Sequence, residues 1–161
     1  MKLNEVIAKY GNQEVDESKI KEVLGVKKSK VWKPEFREPY YFVYEDGICS
    51  DRFETSADEV RYGLGNCYQT YEETKFARDK QIFLTKFERY LRENEDEPVD
   101  WENSKQSKYY LQYQHYDSTI LVDVWTRHQN QGAIHTTNMT ALQAFVRENE
   151  SDIKKYMFGV E

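Results

Sequence analysis

At 161 residues and a formal charge of -6, with 39% hydrophobic and 32% charged residues, the chain suits one domain of ordinary size and is too short for two full enzyme domains. Its acidity weighs against non-specific coating of nucleic acid or of an anionic membrane, and a basic partner surface suits it better. With 13 Tyr, 8 Phe and 3 Trp, rings must fill much of the core, and the two cysteines, Cys49 and Cys67, form no C-x-x-C and read as reduced, buried thiols.

Residues 1-30 read as an N-terminal helical module. Leu3, Val6, Ile7 and Tyr10 mark one short helix, Ile20, Val23 and Leu24 a second, and Gly11 and Gly25 stand where C-terminal caps belong. The start has no leader-like apolar run and nowhere do about 18 apolar residues follow one another, so no membrane association and a cytoplasmic location are expected. Residues 31-39 are a connector with Trp32, Phe36 and two prolines, Pro34 and Pro39, each of which drives its preceding residue toward extended geometry.

The first unit covers 40-93. Tyr40 to Tyr44 and Ile48 to Thr55 read as strands around a Glu45-Asp46-Gly47 turn, Asp58-Glu59 as a loop, and about Val60 to Gln69 as a third strand. Thr70-Tyr71-Glu72-Glu73 matches a capping box and opens a helix over 71 to 93, with Phe76, Phe83, Leu84, Phe87, Tyr90 and Leu91 on its apolar stripe. Residues 94-107 are an acidic linker. The second unit, 108-161, repeats the order: a strand from Lys108 to Tyr113, an Asp117-Ser118 turn, strands over Thr119 to Thr126 and Gly132 to Thr136, and a helix capped by Thr137 or Asn138. That helix is interrupted near Glu150-Ser151, and Tyr156, Met157 and Phe158 close the core beyond it.

Setting Tyr40-Tyr41 against Tyr109-Tyr110, and Cys67 to Thr70 against Ile134 to Thr137, aligns the units as an internal duplication. The expected fold is α+β: tandem strand-strand-strand-helix units, antiparallel sheets packed by helices, and one shared core. Duplication with exposed strand edges also allows a homodimer.

No linear motif for catalysis stands out. His115, His128 and His135 lie on or beside strands of the second unit, near Asp117 and Asp123, without H-x-H or H-x-x-x-H spacing. No G-x-S-x-G elbow occurs, Gly63-Leu64-Gly65-Asn66 lacks the Lys of a phosphate loop, and Glu72-Glu73 is explained by helix capping. The expectation is a non-enzymatic protein without metal or cofactor.

Two charge features remain. Glu93, Glu95, Asp96, Glu97, Asp100 and Glu102 surround Trp101 with no base among them, a row able to imitate a nucleic-acid backbone toward a basic partner. The plainer reading is a solvated linker that Trp101 anchors to the core. Conversely, Lys27, Lys28, Lys30, Lys33 and Arg37 flank Trp32, a segment that could contact phosphates and stack a base, tempered by Glu35 and Glu38.

Taken together, Met1 to Gly11, Lys19-Ile20-Lys21-Glu22-Val23-Leu24-Gly25, Gly65-Asn66 ahead of Thr70-Tyr71-Glu72-Glu73, and the closing Lys154-Lys155-Tyr156-Met157-Phe158-Gly159-Val160 make the chain resemble a group of short phage and prophage proteins of Gram-positive bacteria. The resemblance runs nearly end to end on structural signals; Thr74 departs from the alanine common there. It carries over no functional residue. It implies an accessory protein in the host bacterial cytoplasm that binds a host protein, such as a basic nucleic-acid-binding enzyme or a defence component, in the manner of an anti-CRISPR inhibitor. A nucleic-acid or nucleotide binding module and a small virion assembly protein are the alternatives.

Overall fold

Pro39 has no amide to donate, and it stands at the first position of β1 (Pro39–Tyr44), which pairs antiparallel with β2 (Gly47–Arg52). The computed structural model describes residues 31–45, 47–127, 129 and 132–160; the expected N-terminal module, with Lys27, Lys28 and Lys30, lies outside the described residues, as does His128. Tyr44 pairs with Gly47, so the hairpin loop is two residues long, and Glu45 takes a positive φ of 49° in it.

The chain then turns helical where a third strand is expected. Helix α1 (Ser56–Gly63) follows Thr55, and the Asp58 carboxylate reaches back to the amides of Glu54 and Thr55 at 3.0 and 2.7 Å. The strand expectation failed for a physical reason: α1 buries a polar side chain, Asp58, and leaves Val60 exposed, so its inner face does not read as an apolar stripe in the sequence. What survives of the third strand is one bridge, in which Tyr41 and Tyr68 exchange two backbone hydrogen bonds of 2.9 Å.

Helix α2 (Tyr71–Glu93) has the expected bounds and box: Glu73 donates its amide to the Thr70 hydroxyl and its carboxylate accepts the Thr70 amide. Thr74, the departure from alanine, is fully buried and donates its hydroxyl to the Thr70 carbonyl at 2.8 Å.

In the second unit β3 (Lys108–Gln114) pairs antiparallel with β4 (Thr119–Trp125), Tyr109 forms a single bridge with Thr136, and Asn138 caps α3 (Met139–Ile153) by accepting the Ala141 amide. The expected third strand over Gly132 to Thr136 is again that one bridge. Helix α3 kinks at Asn149, and a π-helical turn (Lys154–Phe158) ends at Gly159 in the left-handed region, φ 66°.

The repeat is therefore hairpin, bridge, capped helix, in a register one residue away from the dipeptide match. Tyr41 corresponds to Tyr109, Tyr68 to Thr136 and the cap Thr70 to Asn138, because bridge and cap stand two residues apart in both units. This places Tyr40 opposite Lys108, both fully buried, and Phe42 opposite Tyr110, also buried. Two Tyr-Tyr pairs made the wrong register look right, and a one-residue slip exchanges the faces of a strand.

Among the described residues the buried apolar side chains form two clusters, where a single shared core was expected. Tyr40, Phe42 and Phe53 make the smaller one, flanked by Trp32, Tyr62 and Cys67. The larger holds Phe83, Phe87 and Leu91 of α2 with Leu111, Leu142, Phe145 and Ile153, closed by Tyr156, Met157 and Phe158. Only the C-terminal half of α2 carries buried rings, so the helix begins in the first unit and completes the core of the second.

Candidate functional site

The acidic loop is held at several points. Asn138 donates its side-chain amide to the Asn94 carbonyl at 2.8 Å and to the Asp96 carboxylate at 3.1 Å, and the Thr137 hydroxyl donates to the Glu97 carbonyl at 2.7 Å. Further on, Gln106, buried, accepts the Asp100 amide at 2.7 Å and donates to the Pro98 carbonyl at 2.9 Å. Trp101 is half-buried, its ring edge-on to His135 at 4.9 Å and beneath the Lys108 ammonium at 5.4 Å.

The carboxylates face outward. Glu93, Asp96, Glu97, Asp100 and Glu102 are exposed and Glu95 half-buried, and among the described residues none of the six forms a salt bridge. Within the structure Asp96 and Asp100 spend one oxygen on local bonds, to Asn138 and to the Glu102 amide. The result is a row of exposed carboxylates on a loop tied at several points by hydrogen bonds.

The basic segment is different. Lys33 is 2.8 Å from Glu59 and stands over the Phe53 and Tyr62 rings, Arg37 is 3.5 Å from Glu54, and Trp32 packs against the smaller cluster. Arg37 adopts a positive φ of 68° and lies over the exposed Phe36 ring beside an open cleft of about 590 Å³. The structure thus brings the described cations of this segment to acids rather than to an open phosphate track.

Two polar clusters escaped the sequence reading. In the first unit the Tyr40 hydroxyl donates to Asp58 Oδ1 at 2.6 Å, while Arg61 Nη1 donates to the same oxygen at 2.8 Å and to the Tyr40 oxygen at 2.7 Å. The Arg61 guanidinium lies 4.1 Å from the Phe42 ring centre. Burial alone would raise the Asp58 carboxyl, but bonds from Tyr40, Glu54 and Thr55 outweigh it and hold the group well below the usual carboxylate range. Burial first, and the bond to Asp58 second, push the Tyr40 phenol up to about 12. Both groups are locked in one protonation state, which suits a structural clamp.

In the second unit Lys108 is fully buried and, among the described residues, forms no salt bridge. Its ammonium donates to the carbonyls of Asn103, Gln106 and Thr126 at 2.7, 3.1 and 3.3 Å. The Tyr110 hydroxyl donates to Asp123 at 2.9 Å and accepts from Trp125 Nε1.

Of the other titratable side chains, Cys67 is half-buried and burial pushes its thiol up, while Cys49 is exposed on β2 rather than buried as expected. Among the described residues no cluster of His, Cys, Asp or Glu could hold a metal ion, and no helix is long and apolar enough to cross a membrane.

Fold and site together define an α+β protein of two successive hairpin-helix units with an exposed acidic loop between them. No family model matches the chain, and no curated protein or solved structure matches it significantly.

Proposed function

We propose that this chain works without catalysis, by binding a basic protein through the loop from Glu93 to Glu102. In the phage setting that the sequence resemblance implies, the partner is a host nucleic-acid-binding enzyme or defence component whose cationic groove the carboxylate row occupies. The observation that carries the reading is the pairing of two properties: six carboxylates without a salt bridge among the described residues, on a loop tied down at Asn138, Thr137, Gln106 and Trp101. Unpaired charge steers a basic partner and a fixed loop loses little entropy on binding. Nucleic-acid binding by the connector is the weaker reading, because Lys33 and Arg37 already face Glu59 and Glu54.

The test compares capture from host lysate by the wild-type chain and by a triple variant, Glu93→Gln, Glu97→Gln and Glu102→Gln. These carboxylates make no hydrogen bond among the described residues, so the variant keeps the loop. Retention of a basic nucleic-acid-binding protein at low salt, its loss at high salt and its loss in the variant are expected. Equal capture by the variant refutes the acidic-loop reading. A low-salt gel shift of oligonucleotides that Arg37→Ala abolishes would put the connector reading in its place.

A further inference from the structure

The anchor of the acidic loop rests on a ring with an unmet bond. Trp101 is the loop's one aromatic residue, and its ring stands edge-on to His135 at 4.9 Å. The Tyr110 ring also lies close, 5.4 Å from the imidazole. His135 Nε2 is shielded from solvent and, among the described residues, has no hydrogen-bond partner, while the Ala133 backbone nearby favours the protonated ring. A neutral imidazole tolerates this, since Nε2 then offers only a lone pair. An imidazolium does not: its second N–H would be buried without an acceptor, at a site that already holds a cation.

Among the described residues, no carboxylate bonds that ring. From β3 come the Lys108 ammonium, across the Trp101 ring, and the Tyr110 phenol, whose hydroxyl is committed to Asp123 of β4. From the loop, Asp100 and Glu102 flank Trp101 but sit at exposed positions.

We propose that His135 is a proton-operated latch on the acidic loop: the neutral ring holds Trp101 in place, and protonation expels it and frees the loop between its tied ends. As regulation of partner binding this rests on the acidic-loop reading; as a motion of the loop it stands alone. The sign follows from burial, which lowers the proton affinity of His135 in the folded chain below its ordinary value of 6.5, the Ala133 bond offsetting part of the effect. The closed loop is therefore fully favoured above pH 6.5 and loses ground as the pH falls below it.

Hydrogen exchange of the amides from 97 to 103, corrected for the intrinsic effect of pH, reads the latch on the full chain without any partner. Below pH 6.5 the opening constant is expected to rise, approaching about tenfold per pH unit for one proton, until the folded ring itself titrates. In His135→Phe it should stay flat. An unchanging wild type, or the same rise in His135→Phe, overturns the proposal. Should that variant not fold, NMR of the wild type decides: His135 ring and Trp101 indole signals must move with one midpoint below 6.5, and separate midpoints defeat the latch. Because no partner enters, a failed capture experiment and a failed latch are distinguishable.

Discussion

Asp58 and Lys108 show two ways of burying a charge. Asp58, 1% exposed, accepts from two amides, two hydroxyls and a guanidinium, whereas Lys108 donates to three carbonyl oxygens and lies over the Trp101 ring. Asp58→Ala leaves the Glu54 and Thr55 amides and the Tyr40 hydroxyl without their acceptor, while Arg61 keeps Asp51 at 3.6 Å, and is expected to cost about 3–5 kcal/mol. Tyr40→Phe leaves the ion pair with Arg61 intact and should cost about 1–3 kcal/mol, so urea unfolding of the two variants must rank them in that order. Since the folded carboxyl is depressed, its contribution is present above 3.8 and is lost as the pH falls below that value. The Asp58 clamp was legible in part: Thr55 and Asp58 have the spacing of Thr70 and Glu73, the box that the sequence did disclose. Lys108 was not, because a lysine at a strand start gives no sign that backbone carbonyls will enclose it.

Helix α2 could be read to its ends, since its cap, its box and its stripe all agree, and agreement across levels is what makes an element legible. The third strands could not, because each is a single bridge: one pair of backbone bonds leaves no alternation in the sequence. The acidic loop was visible as composition, and so was Trp101 as its anchor, but the ties from Asn138 and Thr137 were not, since those residues reach it from far along the chain. The two caps allow a comparison. Thr70→Ala removes a cap from α2 alone and should cost about 1 kcal/mol. Asn138→Ala removes the cap of α3 together with the bonds to Asn94 and Asp96, so denaturant melts should show a larger loss, with faster exchange in the loop. Equal losses, with the loop amides unchanged, would mean that Asn138 caps the helix without fixing the loop.

Two clusters joined by one helix pose a question of cooperativity. The first cluster has three fully or nearly buried rings, Tyr40, Phe42 and Phe53, too little apolar burial to fold by itself. It is coupled to the second through α2, whose start is fastened by the Thr70 cap and by the edge-on contact of Tyr41 with Tyr71, and whose far half carries Phe83, Phe87 and Leu91 into the larger cluster. With 23 residues, α2 is a continuous rod of about 35 Å, and helix propagation makes its two halves stand or fall together. Fluorine NMR of fluorotryptophan-labelled protein separates the reporters, Trp32 beside the first cluster and Trp125 on β4 in the second unit. Both are expected to lose their native signals at one urea midpoint. Ile82→Pro, at a position 60% exposed between the two fastenings, breaks the rod without removing a core side chain. In that variant the Trp32 transition should move to lower urea than that of Trp125. If the two signals still melt together, the contacts of α2 with the first hairpin do not depend on its continuity, and the units are joined through their sheets instead.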